Sequence, residues 1–153
     1  MTLCEAAAYY KTKNMTLWDA MLAMYEKYGY YKDDVTAITL KGIEGLAKNQ
    51  QIMDTLREKA PAEIGAYKVT AVRDYKKDTI TDTATGAVRP TGLPSSNVLY
   101  YEMTDDAWVC VRPSGTEPKV KFYLGVNGTS LEDADAKSGA LSAAVLEMIN
   151  GML

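Results

Sequence analysis

Between Lys119 and Val126 the chain alternates strictly: Val120, Phe122, Leu124 and Val126 fall on one side of a period-two pattern, and Lys119, Lys121 and Tyr123 on the other. That pattern is the signature of a strand with one apolar face, because successive Cβ atoms point to opposite sides of a sheet. Two more strand-like runs come just before it. Asn97–Met103 ends at Thr104-Asp105-Asp106, and Ala107–Arg112 follows. Strands that succeed one another through short links pair antiparallel. Asn127-Gly128 reads as a turn, and Ser130 with Asp133 caps a last helix over Leu131–Met152.

Upstream, β-branched residues make Val35–Leu40 a strand, and Tyr67–Asp74 is another. Between them Ile43, Leu46, Ile52, Met53 and Leu56 give a helix over 43–59, flanked by Gly42 and Gly45 and closed by Pro61. Lys76–Pro94 is rich in Thr, Asp, Gly and Pro, as a long excursion or a small hairpin about Thr85-Gly86. The order β-α-β-β-β-β-α predicts an α+β fold: a mainly antiparallel sheet of about four strands, one face covered by two helices. A short helical segment precedes it. Leu3–Tyr10 is helical in composition with no cap, Lys11–Asn14 breaks it, and Thr16 with Asp19 caps a second helix that ends at Gly29.

Composition narrows the function. With 153 residues the chain fits one domain, or one domain and a fragment of another. A net charge of −3 opposes a broad nucleic-acid or membrane-binding surface while permitting a local basic site. No segment approaches the run of roughly 20 apolar residues that spans a membrane, and Met1–Tyr10 lacks the pattern of a signal peptide. The two cysteines, Cys4 and Cys110, read as buried free thiols, and there is no histidine, which removes the usual mixed metal sites. A cytoplasmic protein is the expectation. Asp133 and Asp135 fall at a helix start, where acids favour the dipole, rather than in a metal site. The tyrosines of residues 9–31, with Trp18 and Trp108, read as packing residues.

The link Arg112-Pro113-Ser114-Gly115-Thr116-Glu117-Pro118-Lys119 carries the chemistry. Arg112 offers a planar fork of donors. Ser114 and Thr116 add hydroxyls, and Gly115 lets backbone approach a ligand and can take positive φ. Successive N–H groups in such a turn converge on anions. Pro113 and Pro118 stiffen the shoulders, and Lys119 and Lys121 enter the next strand on one face. By composition alone, a plain hairpin loop and an anion site remain equally open.

The string RPSGTEPK followed by VKFYLGV resembles the phosphate-binding loop of the α-D-phosphohexomutases, the phosphoglucomutase and phosphomannomutase family. Gly92–Val109, Tyr28-Gly29-Tyr30-Tyr31-Lys32 and Ile38-Thr39-Leu40-Lys41-Gly42 are similar to the segments around that loop. The resemblance implies a fragment: residues 1–33 as a helical remnant of a third domain and 34–153 as a fourth, with a TATA-box-binding-protein-like fold. It implies a parent enzyme that interconverts hexose 1-phosphate and hexose 6-phosphate, glucose before mannose, through a phosphoserine and a bisphosphate intermediate. Arg112, Ser114, Gly115 and Thr116 would hold the substrate phosphate, and Lys119 would act on it at longer range. Magnesium would be bound outside this chain, which lacks the family's serine, metal and sugar-selecting loops and is expected to be inactive alone. The partners implied are the hexose phosphate and the missing domains, with self-association of the fragment. The competing expectations are a stand-alone sugar-phosphate-binding or regulatory module and a nucleic-acid-binding sheet; the acidic charge opposes the latter.

Overall fold

The computed structural model describes residues 1–40 and 44–152. The alternating segment is its centre. As strand β8 (Lys119–Gly128) it buries Val120, Phe122, Leu124 and Val126 to 1% exposure or less and turns Lys119, Lys121 and Tyr123 to the other face. β1 (Tyr30–Thr39) pairs with one edge of β8, and β7 (Trp108–Pro113) with the other. β6 (Leu99–Met103), β3 (Tyr67–Asp74), β4 (Thr79–Asp82) and β5 (Val88–Arg89) continue the sheet. The order is β1-β8-β7-β6-β3-β4-β5, each neighbour antiparallel, and a two-residue β2 (Glu63–Ile64) pairs with β3.

Two helices cover one face. α3 (Gly45–Glu58) contributes Ile52, Met53 and Leu56, and α4 (Leu131–Asn150) contributes Leu141, Val145 and Ile149. They meet Leu99, Tyr101, Val109, Val111 and the apolar row of β8 in one cluster. Truncating a Leu or Ile of such a cluster to Ala costs about 2–5 kcal/mol. The α+β antiparallel architecture with one helix-covered face is as the sequence predicts. α4 starts at its expected cap, the Asp133 N–H donating to Ser130 Oγ at 3.1 Å, while Asp133 itself accepts from the Thr129 N–H at 2.8 Å.

The sheet is wider than four strands, and one of its strands is longer than the sequence predicts. The Lys76–Pro94 excursion folds as the β4–β5 hairpin. β1 begins at Tyr30, not Val35, and runs in unbroken register from Tyr30 opposite Gly128 to Thr39 opposite Lys119. Asn127 and Gly128 are therefore paired strand residues rather than a turn. A ready partner edge overrides the weak β-propensity of Lys32, Asp33 and Asp34. The boundary drawn at 33/34 runs through β1. In the α3 region, Gly42 and Ile43 lie outside the described residues. Leu46 is exposed rather than in the core.

α1 (Thr2–Lys11) and α2 (Leu17–Tyr28) stand apart, with no buried residue in either. Thr16 and Asp19 form the expected capping box, the Thr16 N–H donating to Asp19 Oδ2 at 2.7 Å and the Asp19 N–H to Thr16 Oγ1 at 3.1 Å. Gly29, at φ 108°, turns the chain into β1. Tyr25 stacks on Tyr30 across that turn. Trp18 is exposed, whereas Trp108 stacks on Tyr100 on the uncovered sheet face with ring centroids 5.5 Å apart. Both thiols are free, but neither is fully buried: Cys4 is exposed on α1, and Cys110 is half-buried. Among the described residues no helix is long and apolar enough to cross a membrane.

Candidate anion-binding site

The link between β7 and β8 forms the wall of a cavity of about 280 Å³. Its lining is Arg112 to Glu117 without a gap, joined by Lys121 and Tyr123 from β8. The register explains the meeting. Arg112 lies opposite Lys121, and both stand on the face the helices leave uncovered. Two cations and one carboxylate, Glu117, thus border the cavity in a chain whose net charge is −3.

The structure brings Arg112, Ser114, Gly115 and Thr116 together and adds Lys121, which the sequence placed on the same face without assigning it to the site. The signal was present: Lys121 is two residues on from Lys119 along the exposed row. Lys119 is not part of the cavity wall. Its backbone instead closes the loop, its carbonyl accepting from the Ser114 N–H at 2.8 Å and its N–H donating to Glu117 O at 2.7 Å.

Gly115 does not adopt positive φ. A Cβ built at Gly115 meets nothing within 4 Å. Neither backbone strain nor packing inside the chain calls for glycine there, and the space it leaves opens onto the cavity. Ser114 Oγ accepts from the Thr116 and Glu117 N–H groups at 3.4 and 3.2 Å. These contacts are long for N–H···O bonds. They show the two N–H groups converging on one oxygen, and among the described residues the Ser114 hydroxyl donates to no side chain or carbonyl.

The loop is fixed from behind. The Leu40 N–H, at the end of β1, donates to Pro118 O at 2.8 Å. Asn49 of α3 reaches Glu117 O and Lys119 O with its side-chain amide, each at 3.4 Å. Gly45 packs so closely that a Cβ would sit 2.4 Å from Leu40 O and 2.6 Å from Pro118 Cβ. Beside the cavity, burial pushes the Cys110 thiol above its ordinary range, and the Arg112 charge opposes that rise.

Chemically, the site offers donors and positive charge: a guanidinium, an ammonium, two hydroxyls and loop N–H groups. Such a set suits a tetrahedral oxyanion. At about 280 Å³ the cavity is smaller than those that engulf a whole small molecule, so it suits one end of a ligand. Among the described residues no three His, Cys, Asp or Glu side chains gather in a metal-ligating group. Asp133 pairs with Lys137 and Asp135 with Lys32, in keeping with their place at a helix start.

Comparison with known proteins identifies the family. Residues 44–137 match the family model described as phosphoglucomutase/phosphomannomutase, C-terminal domain. A phosphoglucomutase of Staphylococcus aureus strain bovine RF122 / ET3-1 is 33% identical over 139 residues, which is 91% of this chain and 25% of that protein. The phosphoglucomutase of strain MRSA252 is 32% identical over the same span. The chain thus spans a quarter of the length of these relatives. The open form of pp63/parafusin from Paramecium, an exocytosis-sensitive phosphoprotein titled as a phosphoglucomutase, aligns over 94% of this chain and 24% of its own, with a TM-score of 0.47 and 12% identity. With the family model covering more than half of its residues, this chain belongs to the phosphoglucomutase/phosphomannomutase family, as a C-terminal domain.

Proposed function

We propose that this chain is the substrate-phosphate-binding domain of a phosphohexomutase that interconverts hexose 1-phosphate and hexose 6-phosphate through a phosphoserine and a bisphosphate intermediate. The single observation that carries the reading is the continuous cavity wall Arg112–Glu117, completed by Lys121. In this reading Arg112 and Lys121 balance the phosphate charge, and the Ser114 and Thr116 hydroxyls and the loop N–H groups bind its oxygens beside Gly115. Lys119 contributes through the backbone closure of the loop and its charge at longer range. The loop grips the phosphate that is not reacting. Holding that end orients the other, and binding energy from the remote group lowers the barrier at the reacting centre.

Glucose phosphate is the proposed substrate ahead of mannose phosphate, as the relatives' names suggest. Residues 1–33 are read as the end of a preceding domain and 34–153 as the phosphate-binding domain. The remaining domains are its partners, and the apolar residues of α1 and α2 favour self-association without them. The reading places the protein in the cytoplasm. In this reading magnesium serves the longer protein, held by residues outside this chain.

Calorimetric titration of the 153-residue chain with glucose 6-phosphate, mannose 6-phosphate and glucose tests the reading. Both phosphate esters should bind and glucose should not. Equal binding of all three, or of none, contradicts it. Assay of the longer protein with the two 1-phosphates then decides the sugar preference.

A further inference from the structure

Three consecutive carbonyls of the loop, those of Glu117, Pro118 and Lys119, are all engaged by donors that lie outside the cavity wall or close the loop's neck. Pro118 O takes the Leu40 N–H. Glu117 O takes the Lys119 N–H at 2.7 Å and Lys119 O the Ser114 N–H at 2.8 Å, and the Asn49 amide reaches both oxygens at 3.4 Å. A carbonyl oxygen is the negative end of its peptide dipole. Had these three turned toward the cavity, they would have repelled an anion there. The stretch 114–117 lines the cavity, while the carbonyls of 117–119 are engaged by other groups of the chain.

Asn49 is the side chain in this arrangement whose cost is visible. It is 4% exposed, and its buried Oδ1 has no hydrogen-bond partner among the described residues. A buried unpaired amide oxygen is unfavourable. An apolar residue of similar volume would avoid that penalty, so folding of the helix gives no reason for asparagine at this position. The amide does one thing an apolar group cannot: it gives the two carbonyls on either side of Pro118, each already bound by a backbone N–H, a second donor from outside the cavity wall. Gly45, one helical turn earlier, lets α3 come close enough for the reach.

We propose that Asn49 is a positioning residue for anion binding, acting by holding the Glu117 and Lys119 carbonyls away from the cavity. This rests on the reading of the loop as a phosphate site. It goes beyond that reading, because Asn49 does not line the cavity and is separated from Glu117 by 68 positions in the sequence.

The experiment uses the full 153-residue chain and sulfate, a dianion throughout the pH range needed. Sulfate affinity is measured for the unaltered chain, Asn49→Leu and Asn49→Asp, with thermal unfolding of each recorded alongside. Asn49→Leu should weaken sulfate at least tenfold while the chain stays folded. In Asn49→Asp, a protonated carboxyl still donates to a loop carbonyl, whereas an ionised one repels both. Relative to the unaltered chain, its sulfate affinity should therefore fall at least fivefold as pH rises from 5 to 8. That pH-dependent loss is the readout a purely structural role would not produce, and it remains available if Asn49→Leu fails to fold. Sulfate affinity within twofold of the unaltered chain in folded Asn49→Leu, or a flat pH ratio in Asn49→Asp, overturns the proposal alone. No sulfate binding by the unaltered chain overturns it together with the reading of the loop.

Discussion

Two connections in this sheet face the same backbone problem and solve it in opposite ways. The β4–β5 hairpin and its return turn N–H groups toward two points, and a carboxylate of the chain fills each. Asp82 Oδ1 accepts from the Thr85 and Ala84 N–H groups at 2.7 and 3.1 Å. Asp78 Oδ1 accepts from the Thr91 and Gly92 N–H groups at 3.0 and 3.1 Å. In the β7–β8 loop the corresponding N–H groups meet only a neutral hydroxyl, Ser114 Oγ, at 3.2 and 3.4 Å. The first connection carries its own anions. On the proposed reading the second leaves that place to the anion of a ligand, with Arg112 and Lys121 in the same cavity wall.

The largest expected effect comes from converting the second connection into the first. Ser114→Asp puts a carboxylate where the Thr116 and Glu117 N–H groups converge. Like-charge repulsion and the loss of those donors together should reduce phosphate affinity about 100-fold or more, since each charge-assisted hydrogen bond is worth about 1.5–3 kcal/mol. Calorimetry checks this, and an affinity within threefold of the unaltered chain would undo the comparison. Arg112→Ala should cost roughly 10- to 100-fold in the same titration, with partial recovery in Arg112→Lys, which keeps charge but loses the fork. In the longer protein Arg112→Ala should impair turnover of sugar phosphate while serine phosphorylation persists. Equal loss of both would make Arg112 structural.

How much of this could be read from the chain depends on the range of the interactions. Local signals were legible. The Thr16–Asp19 box, the Ser130 cap, the bounds of β3 and the alternation of β8 are written in residues within a few positions of one another. The loop was legible because its residues are consecutive. The extension of β1 to Tyr30 was not, since its cause is the edge of β8 nearly a hundred residues later. The same holds for the Asn49 contacts and for the buried Arg57–Asp74 pair at 3.2 Å, which no spacing announces. Lys121 was visible as a charge on the right face, but its place in the cavity in preference to Lys119 depends on where the loop folds.

A middle-sized effect sharpens the role of the scaffold. Gly45→Ala forces a Cβ against Leu40 O and Pro118 Cβ. Overpacking of this kind costs about 1–3 kcal/mol. Chemical denaturation should show that loss and phosphate titration a weaker site, whereas unchanged values of both would mean that α3 does not brace the loop.

The smallest effect concerns the hairpin. Asp78 is held below its ordinary pKa first by the Thr91 hydroxyl and then by backbone N–H groups. Asp82 is lowered by the Thr85 N–H and hydroxyl. A carboxyl whose folded pKa is depressed contributes stability above its unfolded value, near 3.9, and loses it as pH falls through the folded value. Amide exchange in residues 78–92 should therefore accelerate below about pH 4. In Asp78→Asn and Asp82→Asn the hairpin should already exchange faster at neutral pH, with phosphate affinity unchanged. A coupled loss of phosphate binding would mean that the two connections are not independent.

The most direct measurement is a titration of the isotope-labelled chain with inorganic phosphate, followed through its amide and Arg112 Nε resonances. The account predicts saturable shifts concentrated at Ser114–Glu117, Arg112 and Lys121, absent in Arg112→Ala, with the 78–92 amides still. No saturable shift, or shifts centred on the Lys76–Lys77 end of the hairpin, would contradict it.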